Sequence, residues 1–271
     1  MVRGNDDMTN ELIIKSLSTL EDLQEVQQLE ILVWGMDCVP THQTLTAVKN
    51  GGIVLGGYIN NQLVGFQYSF PGFKDGKVFL CSHLLAIHPD HQKKGYGRLL
   101  KVAQKEEALK KGYHLITWTY DPLESVNANL NIGKLKAVCR TYMEDCYGEL
   151  KGALNEGLST DRFMVEWNLE QETESDEQLT DKATHIVTTE MNEQGFPFIE
   201  DYSLETTAEV VAIPIPTEIQ KIKKENLSLA IDWRVKTSEL FQTLFSKGYV
   251  VVGIERKQGE NIQNYLLKKT E

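Results

Sequence analysis

Apolar and polar positions change period several times along the chain. Residues 12–17 form a short β-type run, residues 19–33 carry a helical stripe, and a second helix opens at the Thr41 cap. Strands alternating with helices predict an α/β layout. Residues 53–59 and 62–70 read as strands joined by Asn60-Asn61, a pair that tolerates the positive φ of a tight hairpin turn, so antiparallel pairing is expected. A Lys74-Asp75-Gly76 turn then introduces a long strand over 78–87, stopped by His88-Pro89 because proline cannot donate to a ladder. From 97 to 111 the apolar positions Leu99, Leu100, Val102, Ala103 and Leu109 fall on a helical stripe, with Glu106–Lys110 and Glu107–Lys111 pairs and Gly112 as the C-cap. Residues 115–119 and 163–167 are predicted buried strands. The fold class is therefore α/β, a mixed, mostly antiparallel central sheet flanked by helices.

The sharpest change of composition is at 170–181, EQETESDEQLTD, which holds six acidic residues and a single apolar one. It predicts an acidic linker over 169–181, between a first domain at 11–168 and a smaller α+β unit at 182–271. In that unit, strands are expected at 184–189 and 209–215, the latter marked as an edge by Pro214 and Pro216. One long helix follows with the stripe Ala230, Trp233, Leu240, Phe241 and Leu244, then strands at 249–254 and 264–267. No fixed-period repeat is visible.

With 271 residues, 41% hydrophobic and 25% charged, the composition is that of a globular protein and excludes disordered, fibrous and membrane classes. No stretch reaches the roughly 18–20 apolar residues of a membrane span, and residues 1–10 lack an apolar leader core, so a cytoplasmic location with no membrane partner is expected. Cys38, Cys81, Cys139 and Cys146 stand singly, as reduced thiols without metal-ligand spacing. The net charge of -11 argues against nucleic acid, whose phosphates require a surplus of Lys and Arg. Small molecules are the expected partners, with a homodimer left open.

One stretch carries chemistry: Leu84-Leu85-Ala86-Ile87-His88-Pro89-Asp90-His91-Gln92-Lys93-Lys94-Gly95-Tyr96-Gly97-Arg98. It reads as strand, proline stop, basic glycine loop and helix. Gly95 and Gly97 allow close backbone approach, the loop amides and first helical turn point at an anion, and Lys93, Lys94 and Arg98 add positive charge in an acidic chain. A dinucleotide fingerprint would need glycine where Leu100 stands, and a P-loop would need Gly-Lys-Ser/Thr; neither is present.

The run Gln92-Lys93-Lys94-Gly95-Tyr96-Gly97 between a strand and a helix resembles the Q/R-x-x-G-x-G/A signature of the GNAT superfamily of acyl-CoA N-acyltransferases, over about residues 11–168. Trp118-Thr119-Tyr120-Asp121-Pro122, Asn127-Ala128, Thr160-Asp161-Arg162-Phe163 and Ala230-x-x-Trp233-Arg234 resemble one bacterial branch of it with a C-terminal extension. The resemblance implies acetyl-CoA or another short acyl-coenzyme A as donor and a small-molecule amine as acceptor. It implies that Gln92, Lys93, Lys94, Gly95, Tyr96, Gly97 and Arg98 hold the pyrophosphate. It further implies that the preceding strand, splayed by a β-bulge, offers the backbone of Leu85, Ala86 and Ile87 to the pantetheine arm and thioester. Where many members have a tyrosine that protonates the leaving thiolate, this chain has Asn131-Ile132-Gly133-Lys134-Leu135, so Asn127 or Asn131 could contact the sulfur or pantetheine instead, or simply cap helices. A non-catalytic acyl-CoA-binding module and a succinyl-CoA-dependent amino acid N-acyltransferase are the alternatives.

Attack on a thioester requires a neutral amine and a route for its proton. His83, on the strand four residues before Ile87, is the first candidate base, since imidazole titrates near working pH, and Asp121 is the second. Trp118 and Tyr120 could line an acceptor pocket or belong to the core. Arg162, after a loop over 152–159, could clamp a carboxylate with its planar fork or pair with Asp161 or Glu166.

Overall fold

The computed structural model describes residues 11–35, 38–148, 157–171, 174–257 and 259–270. Residues 1–10 and 152–156, which entered the sequence reading, lie outside these. The chain divides into two compact units, 1–116 and 117–271.

The first unit contains β1 (Ile13–Ser16), α1 (Leu20–Trp34), α2 (Thr41–Lys49), β2 (Ile53–Ile59), β3 (Gln62–Lys74), β4 (Lys77–Ile87), a 3-10 turn at Pro89–His91 and α3 (Tyr96–Lys110). Each of the first three strands pairs antiparallel with the next. The β2–β3 turn forms as its residues require, with Asn60 and Asn61 at φ 50° and 62°. A capping box starts α1: the Thr19 hydroxyl accepts from the Asp22 amide at 3.1 Å, and the Asp22 carboxylate accepts from the Thr19 amide at 3.0 Å. Thr41 does not cap α2; Pro40 occupies the cap with its ring-fixed φ of -59°, and Thr41 is the first helical residue. Gly112, with φ 83°, follows the end of α3 in the left-handed conformation that terminates a helix. Leu23, Val26 and Leu29 of α1 pack with Val54, Phe66, Tyr68 and Ala86 from the sheet, which anchors β4.

The division falls within β5 (Leu115–Tyr120). The second unit continues with α4 (Ser125–Ala128), a π-helical turn at Asn129–Lys134, β6 (Val138–Met143), β7 (Arg162–Asn168), α5 (Asp176–Thr180), β8 (Ala183–His185), β9 (Val187–Met191) and β10 (Pro197–Tyr202). It ends with β11 (Val210–Pro216), α6 (Ile219–Glu225), α7 (Leu227–Ser246), β12 (Tyr249–Glu255) and β13 (Ile262–Lys269). Its strands run in the order β5-β7-β6-β12-β13-β11-β8, with β9 and β10 a separate antiparallel pair.

Several expectations change here. Val251 of β12 pairs with Cys139 of β6, so strands on both sides of residue 168 share one sheet, and the break expected there lies inside the second unit. The acidic segment is more than a linker. Ser175 caps α5, whose one apolar residue, Leu179, is 1% exposed and packs with Val210, Ala212 and Leu266. The strand expected at 184–189 is two, β8 and β9. Rather than forming an edge, β11 lies between β13 and a parallel partner, β8, along Val210–Ala212; Pro214 and Pro216 sit past the end of β8, where no ladder amide is needed on that side. The expected long helix is present as α7, and a short helix, α6, precedes it; Asn226 separates the two, its backbone ending α6 and its side chain accepting from the Leu229 amide at 3.1 Å to start α7. Phe163 of β7, Phe241 of α7 and Tyr265 of β13 form the centre of this unit, with ring centroids 4.7 and 5.3 Å from Phe163.

Candidate functional site

The glycine loop closes β4 onto α3. Lys93 and Gly95 have φ of 61° and 82°, two left-handed residues within three positions, which only glycine adopts without strain. The Gln92 side chain reaches back to the Ile87 carbonyl at 3.4 Å and ties the loop to the strand end. Gly95 is the N-cap of α3 and has no side chain to satisfy the helix; the first intrahelical donors are the Arg98 and Leu99 amides, both to the Gly95 carbonyl. The Tyr96 and Gly97 amides therefore face outward from the positive end of a 15-residue helix. A β-carbon at Gly95 would have nothing within 4 Å, and one at Gly97 would meet only Leu85 Cδ2 at 3.7 Å, so no other part of the protein crowds the side-chain positions of these two glycines. With exposed Lys93, Lys94 and Arg98 around it, this cradle suits a phosphate or pyrophosphate.

Leading into the loop, β4 carries a β-bulge. Leu84 pairs with Tyr68 and Ser82 with Ser69, which leaves His83 as the extra residue. The bulge turns the His83 side chain to the surface, where its ring rests edge-on against Tyr68 and Phe70, with centroids 5.9 and 5.6 Å away. The desolvation this causes lowers the imidazole pKa below its ordinary value, so His83 is neutral and able to accept a proton at physiological pH. Leu85, Ala86 and Ile87 lie between the bulge and the loop, paired on one edge with Gln67, Phe66 and Gly65.

Behind the bulge is a buried polar group that the sequence reading missed. The Lys101 amine, from α3, donates to Ser82 Oγ at 2.7 Å, and Gln67 and Gln104 reach the same hydroxyl at 3.4 Å. Complete burial pulls the Lys101 pKa down to about 7. The unfolded chain binds this proton below about pH 10.4, and the folded chain only below about 7. Stability therefore rises with pH between those values, as long as the amine is the dominant titrating group there. Lys101→Met is expected to flatten that slope and to stabilise the protein at pH 7 by about 2–4 kcal/mol, allowing for the lost hydrogen bond. Urea denaturation at pH 7 and 9 measures both; a variant that is less stable at pH 7 contradicts the burial penalty.

The remaining candidates lie in the second unit, and the structure brings some of them together. Asp121, directly after β5, accepts from the Leu123 amide through Oδ1 at 2.9 Å, and its Oδ2 is hydrogen-bonded to Arg234 of α7 and lies 3.9 Å from Arg162. Its oxygens accept from an amide and one guanidinium, with a second guanidinium close by, an arrangement that forms a largely buried ion pair. Arg162 also donates to the Asp161 carbonyl at 2.8 Å and lies over the Tyr147 ring. Tyr120 is core; its hydroxyl meets that of Tyr265 at 3.0 Å, and its pKa is raised by complete burial. Trp118 is also buried, edge-on to Trp167 at 6.1 Å. Neither is an exposed pocket wall. Asn127 is exposed on α4, whose start has no side-chain cap, and Asn131 is buried in the π-helical turn, its carbonyl accepting from the Ala137 amide at 3.0 Å. The half-buried Tyr142 hydroxyl donates to Asp161 at 2.6 Å, and desolvation and that carboxylate drive its pKa up. Among the described residues no group of three His, Cys, Asp or Glu side chains could hold a metal, and no helix is long and apolar enough to cross a membrane.

No family model matches the sequence, and no curated protein matches it. Solved structures similar to the chain include acetyltransferases. One is yncA from Salmonella typhimurium, assigned as an acetyltransferase and solved with its cofactor acetyl-CoA, at 18% identity over 61% of this chain and 98% of that one, with a TM-score of 0.49. A second is the ribosomal-protein-S18-alanine N-acetyltransferase from Escherichia coli, at 17% identity over 60% of this chain and 97% of that one, with a TM-score of 0.48. A third is an aminoglycoside 6'-acetyltransferase of type Ii, at 16% identity over 59% of this chain and 99% of that one, with a TM-score of 0.47.

Proposed function

We propose that the protein is an acyl-CoA-dependent N-acyltransferase of the GNAT superfamily, transferring an acetyl or other short acyl group from coenzyme A to the amine of a small molecule. The observation that carries this reading is the pairing of a bulged strand with an uncapped, glycine-started helix across a basic loop. The Tyr96 and Gly97 amides with Lys93, Lys94 and Arg98 would hold the pyrophosphate. The backbone of Leu85, Ala86 and Ile87 would align the pantetheine arm and supply an N–H to the thioester oxygen as charge develops on it. His83, neutral and exposed one residue from that segment, would take the ammonium proton so that the free amine attacks the carbonyl directly and the thiolate leaves. No covalent enzyme intermediate is required. Asn127 and Asn131 remain candidates for the pantetheine end.

Thioester turnover followed by thiol release over a panel of primary amines, with acetyl-CoA and succinyl-CoA as donors, tests the proposal. Amine-dependent thiol release is expected. Tight coenzyme A binding without amine-dependent release from any donor would instead identify a non-catalytic acyl-CoA-binding module.

A further inference from the structure

The second unit holds a cavity of about 630 Å³ between the turn after β6, the segment before β7 and one face of α7. Arg234 forms part of its wall. This side chain is 4% exposed; among the described residues Nη2 has Asp121 as its hydrogen-bond partner, and Nε and Nη1 are buried with none. A buried guanidinium with donors unmet is costly in a folded protein unless an acceptor arrives from outside the chain. The other charged residues of the wall have the opposite sign: Glu144, Asp145, Asp161 and Glu239 line the cavity beside neutral residues.

These carboxylates are fixed in place. Glu144 accepts from Ser238 and Gln242, Asp145 from Thr160, Asp161 from Tyr142 and the Asp145 amide, and Glu239 from Tyr202. A ligand suited to the cavity must offer acceptor oxygens to Arg234 and a positive charge to the surrounding acids. A simple carboxylate satisfies the arginine but is repelled by four acids, and a simple amine satisfies the acids but leaves the arginine unmet. We infer that this cavity binds a zwitterionic small molecule of the amino acid class, its carboxylate on Arg234 and its ammonium group among Glu144, Asp161 and Glu239. The inference concerns the second unit alone and does not depend on the acyl-transfer reading.

Calorimetry on the full chain tests it with glycine, 4-aminobutyrate and 6-aminohexanoate, whose charges are separated by increasing distances, against butyrate and butylamine. At least one of the three amino acids is expected to bind about tenfold or more tightly than both single-charge analogues, a difference of about 1.4 kcal/mol. Val235→Trp, a change at an exposed wall position of α7 outside the ion pairs, is expected to abolish that binding while leaving coenzyme A affinity unchanged. Arg234→Lys keeps the charge toward Asp121 and is expected to weaken the amino acid more than butylamine. Butylamine binding as tightly as every amino acid, or no amino acid binding to the folded wild-type protein, overturns the inference. Amino acid binding that survives Val235→Trp places the site elsewhere and overturns it equally.

Discussion

Asp121→Ala is expected to lower the stability of the protein by about 3–5 kcal/mol, the usual cost of removing one partner from a buried ion pair. The reason is Arg234, which would keep its charge at 4% exposure with its hydrogen bond to Asp121 gone. Arg162, 3.9 Å from the same carboxylate, would be left facing a second guanidinium without the anion between them. Asp121→Asn keeps an acceptor but not the charge and should fall between the two. Thermal and urea unfolding measure the loss. A base at this position would behave differently: kcat would fall while the unfolding midpoint stayed at its wild-type value.

His83→Ala is expected to reduce kcat by roughly 10²–10⁴, the ordinary contribution of a general base, with coenzyme A affinity retained because the glycine loop is untouched. Desolvation of one side of the exposed ring by Tyr68 and Phe70 lowers the imidazole pKa, so the acidic limb of the wild-type pH–rate profile should lie below the ordinary histidine value of about 6.5. In the variant that limb should disappear. The same depression has a thermodynamic sign: as pH falls below about 6.5 the unfolded chain takes up a proton that the folded chain does not, so this group withdraws stability on acidification. Wild-type kcat for His83→Ala at saturating acceptor would remove His83 from the mechanism and leave proton transfer to water.

Features that depend on local chemistry were legible in the sequence. Asn60-Asn61 announced the hairpin, the Gly95-Tyr96-Gly97 start and Gly112 stop bracketed α3, and His88-Pro89 ended β4 where expected. The bulge in β4 entered only through the resemblance, since neither alternation nor composition marks His83 as the extra residue. What stayed hidden depends on pairing across long sequence distances. A strand at 138–143 is short, and its contact with β12 joins residues more than a hundred positions apart, so nothing near residue 168 tells that the sheet continues. The acidic segment concealed α5 because a single leucine carries its burial. Arg234 entered the sequence reading as part of the Ala230-x-x-Trp233-Arg234 resemblance without a role; as a charged residue next to Trp233 on the apolar stripe, it marks a buried charge once the helix face is known. Lys101, on the buried side of α3, left the same trace.

Calorimetric titration of coenzyme A into the wild-type protein and Gly97→Val tests the account most directly. A β-carbon at Gly97 meets only Leu85 Cδ2 at 3.7 Å, so the fold should survive, while the added valine side chain at the loop should hold the pyrophosphate away from the backbone. Binding by the wild type and a loss of about tenfold or more in the variant, at an unchanged unfolding midpoint, is the predicted result. Equal affinity in the two proteins, or no binding by the wild type, would contradict the assignment of the loop as the coenzyme A cradle.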